Sequence, residues 1–294
     1  MYRQISNNKR SSYVLIFVFV VLLSGLGYVL SHAFRRPGFF IPVVIFAVAY
    51  AAISYFASAK IALSMSGAKE IAKADAPELY RLVENLSITA GQPMPKVYII
   101  EDPSPNAFAT GRDPEHAVVA VTTGILERLD KSELEGVLAH ELSHVGNYDI
   151  RFMAIVVALV SVVSIITDLF LNLSFWGGGD DEEGGNNQLF MILGIVAAIL
   201  APIVAAILQL AISRKREFLA DSSGALLTRN PDGLARALEK ISKDDEGMQK
   251  VSSSTAPLYF SNPLKRGSGI AGLFDTHPPI EERIRRLREM EHLA

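Results

Sequence analysis

The chain has 294 residues, half of them hydrophobic, and a formal net charge of −3. That balance gives no electrostatic case for a nucleic-acid partner, and the apolar share is high for a soluble protein. With no cysteine in the chain, disulfides and thiolate metal sites are excluded, so any metal must be held by nitrogen and oxygen.

Four apolar runs punctuate the sequence: Tyr13–Leu30, Phe39–Ala59, Phe152–Trp176 and Gln188–Ile212. Each approaches the ~20 residues that a bilayer-spanning helix needs. A helix also satisfies its own backbone groups, which lipid demands. The first run is long and no small-residue cleavage site precedes the basic loop after it, which favours an anchor over a removed leader. Asp168 falls inside the third run. It reads either as an acid near the far interface or between helices, or as a functional group within the membrane.

Charge orients these spans, because Lys and Arg collect on the cytoplasmic side. Arg3, Lys9 and Arg10 precede the first run, Lys60, Lys69 and Lys73 follow the second, and Arg214, Lys215 and Arg216 follow the fourth. The loop GGGDDEEGGNNQ between the third and fourth runs has no Lys or Arg. Both termini and the large polar segments are therefore expected in the cytoplasm of a plasma-membrane protein, with only Arg35 and Arg36 arguing otherwise. The expected organisation is an N-terminal transmembrane hairpin over 1–60, the first part of a cytoplasmic domain over 61–151, a second hairpin over 152–212, and the rest of the domain over 213–294.

The polar segments read as mixed α and β. Ala76–Ala90 is expected as a helix with Asp75 as its N-cap and Gly91 just past its end. Lys96–Ile100 is a short β-branched strand. Asn106–Gly111 and Ala117–Gly124 flank the turn-rich RDPEH and suit a hairpin. Asp130 followed by Glu133 is a capping-box pattern, and Leu129 with Leu134 suits a hydrophobic staple, so a helix is expected from Lys131 through His144. Gln249–Phe274, rich in Ser, Gly and Pro, reads as a long loop, a kind that tends to be functional.

That helix carries VLAHELSHV. Residues four apart stand on one helix face, so His140 and His144 can aim ring nitrogens at one point while Glu141 reaches a metal-bound water. This is the arrangement of zinc peptidases, where the glutamate is the general base. A catalytic zinc needs a third protein ligand and an open position. SRKREFLADSSG, after the fourth run, offers Glu217 and Asp221, again four apart. One carboxylate would ligate and the other would fix a histidine tautomer; spacing does not say which, and a solvated charged helix with internal Arg–Glu pairs is the alternative.

HELSH before an apolar hairpin, RKREFLAD directly after it, PNAFATG upstream and THPP downstream together resemble the HtpX-type membrane zinc metalloproteases, over nearly the whole chain. The CaaX prenyl proteases are relatives with more spans. The resemblance implies an integral membrane α-helical protein of four spans with a mixed α+β, zincin-like metalloprotease domain. It implies one Zn2+ held by His140, His144 and Glu217, with Asp221 as partner of a ligand histidine and Glu141 as base. It also implies His277 facing the reacting carbonyl, Arg283 as a basic partner that could help hold the oxyanion, and Asn106, Ala107 and Phe108 as an edge strand along which substrate lies extended. Such an edge binds any peptide through main-chain hydrogen bonds. Without the resemblance, His277 reads as a helix-start histidine beside PPIEERIRRL. One departure is Asp275 before Thr276, where the family often has serine; an acid there could alter the charge of His277.

The expected substrates are membrane proteins, misfolded or damaged, cut at the bilayer surface. Two other classes compete. A transporter is disfavoured by spans nearly free of polar residues apart from Asp168. A metal-binding chaperone or scaffold would close all four metal positions with protein ligands or lack Glu141.

Overall fold

A computed structural model describes residues 2–33, 38, 40–161, 194, 196, 214–243, 247–249, 251, 255–263 and 278–291. Most of the third and fourth apolar runs, Asp168, Arg35, Arg36, His277 and much of Gln249–Phe274 lie outside the described residues.

The first two apolar runs become the long helices α1 (Tyr2–Ala33) and α2 (Phe40–Ser66). Ile5–Val29 and Phe40–Ser66 are long and apolar enough to cross a bilayer. Phe17, Val21, Ile45 and Phe46 are more than half exposed, as lipid-facing side chains are. On their inner faces Phe19, Leu23, Ala47 and Ala51 pack with Ile155, Leu159 and Val196 from the third and fourth runs. α2 overshoots the hairpin end expected at residue 60, and its last turns, with Ala62 and Leu63, enter the core beneath the sheet.

The polar segments build a four-stranded sheet: β1 (Lys69–Glu70), β2 (Lys96–Ile100), β3 (Ala107–Thr110) and β4 (Val118–Thr122), in the spatial order β1-β2-β4-β3. β2 runs parallel to β4, Lys96 opposite Val118. The expected hairpin forms, with β3 antiparallel to β4 and Ala107 opposite Val121. β4 is buried on both faces, which explains its unbroken apolar reading. Val119 and Val121 face one helical layer, while Val118 and Ala120 face Leu63, Val157 and Tyr259.

The helical layer comprises α3 (Pro77–Ala90), α4 (Thr123–Arg128), α5 (Lys131–Gly146), α7 (Arg214–Thr228), α8 (Pro231–Ile241) and α9 (Ile280–Glu291). α6, residues 149–161, leads from α5 into the third apolar run. α3 starts one residue later than expected. Pro77 occupies its first turn, Ala76 is the N-cap without a side-chain bond, and Asp75 instead accepts from the Ala72 N–H at 2.7 Å. Proline is preorganised for that position and gives up an N–H that would be orphaned anyway. Gly91 closes α3 in the left-handed region. The α5 capping box is present: Asp130 accepts from the Ser132 and Glu133 N–H groups, and Glu133 accepts from the Asp130 N–H.

Candidate metal centre

α5 and α7 cross at the site, and they approach closely because Gly224 lies at the crossing. A Cβ there would stand 2.9 Å from the His140 nitrogen and 3.2 Å from the Ala139 carbonyl carbon, tighter than packing tolerates. His140 and His144, one turn apart on α5, meet Glu217 of α7. The His140 and His144 Nε2 atoms are 3.1 Å apart. Glu217 stands 3.8 Å from His140 Nε2 and 3.5 Å from His144 Nε2. Tetrahedral ligands ~2.0–2.1 Å from a zinc ion stand about 3.3 Å from one another, so the donor set and its spacing fit such an ion.

A second layer orients the rings. His140 Nδ1 lies 2.9 Å from Asp221 Oδ1, so Nδ1–H donates to the carboxylate and Nε2 keeps its lone pair for a metal. Arg283 of α9 grips the same carboxylate through Nε at 2.9 Å and Nη2 at 2.7 Å. His144 Nδ1 lies 3.0 Å from Asp149 Oδ2. Asp149 is a partner that motif spacing does not single out. Its only sequence signal is an acid five residues beyond the second histidine.

Burial holds His140 down to about 4 despite the pull of Asp221, with the charge of His144 adding to the depression. Burial also opposes the charged form of His144. There the Asp149 hydrogen bond and the carboxylates of Glu217, Asp149 and Glu141 outweigh it and raise the ring to about 9. The two rings are therefore unequal, the surroundings of His144 favouring its charged form and those of His140 opposing it.

Glu141 is 3% exposed, and its Oε2 accepts from the Ala109 N–H of β3 at 2.8 Å. This bond ties the expected base to the expected substrate strand. β3 is the edge of the sheet among the described strands, but its outward groups are engaged. The Ala107 carbonyl accepts from the Phe260 N–H at 2.8 Å, and the Ala107 N–H donates to Asn106 Oδ1 at 3.0 Å. Asn106 also bonds Ser261 in both directions, at 2.9 and 3.1 Å. An extended peptide on this edge has to displace Phe260 and Ser261.

Phe108 and Arg283 are both buried in this geometry. Phe108 is a core residue: its ring is 1% exposed and packs edge-on against Tyr259, centroids 5.1 Å apart. Its main-chain groups alternate inward, toward Ala120 of β4, because Asn106 and Thr122 form the neighbouring bonded pair. Arg283 grips Asp221 behind His140, stands 3.9 Å from Glu217 through Nη1 and carries Phe260 against its guanidinium at 5.1 Å, a place from which it orients the Asp221 carboxylate. Phe260, wedged edge-on against His140 at 5.1 Å, has no motif signal in the sequence. His277 lies outside the described residues.

A triangle of two histidines and a glutamate that could hold a metal ion, with a second carboxylate beside it and two bilayer-length helices in the same chain, points to a class: membrane-bound metallopeptidases, acting on polypeptides. The chain belongs to peptidase family M48, whose pattern matches residues 73–291. It is 51% identical to a protein named Protease HtpX homolog from Tropheryma whipplei (strain Twist), over 99% of this chain and 98% of that one. Its identity to the protein of that name from Ligilactobacillus salivarius is 48%, over 99% and 100% of the two chains. Among solved structures, the crystal structure of S. mikatae Ste24p shares the fold, with a TM-score of 0.51, 18% identity, and coverage of 98% of this chain and 67% of that one.

Proposed function

We propose that this chain hydrolyses peptide bonds with one zinc ion held by His140, His144 and Glu217. Nitrogen and carboxylate donors at tetrahedral spacing suit zinc. When bound, the ion supplies Lewis acidity that activates water near neutral pH and polarises the scissile carbonyl. Glu141 takes a proton from the attacking water and delivers it to the leaving amine nitrogen. Its bond to the Ala109 N–H fixes the carboxylate against β3, so base and substrate strand move as one. Asp221, clamped by Arg283, keeps the His140 ring in the ligating tautomer. His277 donates to the developing oxyanion, a contribution of about 3 kcal/mol. Substrate lies along β3 at Asn106 and Ala107 in place of Phe260 and Ser261, with Phe108 as the buried footing of that strand.

The substrates are membrane proteins with extended, misfolded or damaged loops on the cytoplasmic side, and the role is quality control. Four spans in two hairpins, with both termini cytoplasmic, place the site at the bilayer surface. Basic side chains gathered at one level support that orientation. Lys9 caps the Tyr148 ring at 4.0 Å, Arg151 lies 5.0 Å from the same ring, and Arg216 lies 4.9 Å from the Phe152 ring. Cations at one end of a set of spans mark the cytoplasmic face.

The observation that carries this reading is the ligand triangle with Glu141 beside it, built on helices that adjoin the apolar runs. The test is to strip the full chain of metal in detergent, reload it with Zn2+, and reconstitute it into vesicles. Zn2+ is expected to restore cleavage, and a membrane protein with an unfolded cytoplasmic loop should be cut faster than the same loop as a soluble peptide. No cleavage after reloading overturns the peptidase reading. Equal rates on both substrates overturn the membrane preference.

A further inference from the structure

Asp149 reaches His144 only because the chain breaks sharply between α5 and α6. Asn147 caps α5 and Tyr148 has a φ of 61°, a left-handed conformation that bulky residues rarely adopt. α6 then begins at residue 149. The break turns the Asp149 carboxylate back so that Oδ2 accepts from His144 Nδ1 at 3.0 Å. Its other oxygen, Oδ1, accepts from Asn8 Nδ2 of α1 at 2.6 Å. The same amide donates its second hydrogen to the Asn147 carbonyl at 2.9 Å. Asn8, Asn147 and Asp149 are 5%, 1% and 2% exposed, so this is a buried polar knot between chain segments far apart in sequence. α1 fastens the break again through Lys9 over the Tyr148 ring at 4.0 Å.

We propose that Asn8 and Asp149 are positioning residues, through which the first transmembrane helix holds a metal ligand in place. Asn8 fixes Asp149, and Asp149 fixes the plane and tautomer of His144. The proposal rests on reading the histidine pair and Glu217 as a metal centre. A buried carboxylate that loses a donor seeks another, and Arg216 Nε stands 3.8 Å from the same Oδ1. Without Asn8 the carboxylate turns toward Arg216 and releases the His144 ring. The metal affinity of the protease domain thus depends on the N-terminal hairpin being docked.

The experiment measures Zn2+ affinity of the full chain in detergent by competition with a chromophoric chelator, and the d–d absorption of the Co2+-loaded protein. Parent, Asn8→Ala, Asp149→Asn, Asp149→Ala, the double variant Asn8→Ala/Asp149→Ala and Ser12→Ala are compared. Ser12 bonds the Asn8 carbonyl rather than its side chain, and serves as a control on the same helix. The expected losses are about tenfold for Asn8→Ala and about 10–100-fold for Asp149→Asn, the range for groups that orient a ligand. The Co2+ band should shift in both, Ser12→Ala should match the parent, and the double variant should bind no more weakly than Asp149→Ala. Parent-like affinity and spectrum in Asn8→Ala, or losses that add in the double variant, overturn the proposal. If Asn8→Ala does not fold, Asn8→Leu, which keeps the bulk and lacks the donor, decides the same question, and parent-like affinity there overturns it. A parent that binds no metal overturns the metal-centre reading itself, an outcome distinct from a parent that binds while its variants match it.

Discussion

Arg283 is among the largest fully buried side chains among the described residues, and what it grips is Asp221. Burial pushes the Asp221 carboxyl up, but the Arg283 charge and the hydrogen bonds from His140 and Arg283 prevail and hold it down to about 2. A depressed carboxyl stabilises the fold at pH values above its unfolded pKa of about 4. That stability is lost as the pH falls from about 4 to about 2, and it amounts to roughly 2–3 kcal/mol. Unfolding of the metal-free protein across that window should show the loss in the parent and a flatter dependence in Asp221→Asn. Arg283→Met removes the cation from a buried carboxylate that keeps only the His140 N–H as donor, and is expected to cost about 3–5 kcal/mol. Arg283→Met/Asp221→Leu should recover much of it, read from the unfolding midpoints of the two variants. A double variant as unstable as the single one would mean that Arg283 stabilises through packing alone.

At the scale of elements, the crossing of α5 over α7 decides whether three ligands meet. Gly224→Ala inserts a methyl against the α5 backbone at His140 and is expected to cost about 1–3 kcal/mol, while weakening Zn2+ binding because Glu217 is carried away from the histidines. Metal affinity equal to the parent would show that the crossing has slack. β3 offers a separate test. The Phe260 N–H bonds the Ala107 carbonyl, so its hydrogen exchange should be slow at rest and faster when a non-cleavable peptide occupies the edge. Unchanged exchange on peptide binding would place the substrate elsewhere. The motif helix was legible because its signals are local: capping box, staple and histidine spacing all lie within a few turns. β1 was not, since Lys69 and Glu70 form a strand only by pairing with Ile99 and Tyr98 of β2. The one-residue error at α3 came from weighing Asp75 as a cap above the stronger constraint of Pro77.

For the whole molecule, what the sequence could not reveal is how the membrane part and the metal site share residues. Asn8 and Asp149 stand 141 positions apart, and no periodicity relates them. The same holds for Phe260, which reaches His140 and Arg283 from a stretch that reads as a loop. The apolar runs, by contrast, announce themselves by composition, and the first two form helices of bilayer length. Their lower ends are part of the protease domain: Ala62 and Leu63 pack under the sheet with Phe108 and Tyr259. A membrane-bound peptidase built this way is expected to lose its fold, and not merely its anchor, when the N-terminal hairpin is removed. Expression of residues 67–294 should yield a chain without a cooperative unfolding transition; a cooperative transition with parent-like Zn2+ affinity would contradict that dependence.

The most direct measurement of the central claim compares the parent with Glu141→Gln, both in detergent, on an unstructured polypeptide, with bound metal quantified in each. The account predicts equal metal in both and cleavage reduced about 10²–10⁴-fold in the variant, the range for loss of a general base. Equal metal with equal cleavage would contradict the role of Glu141, and equal metal with no cleavage by the parent would contradict the claim that this centre is a peptidase.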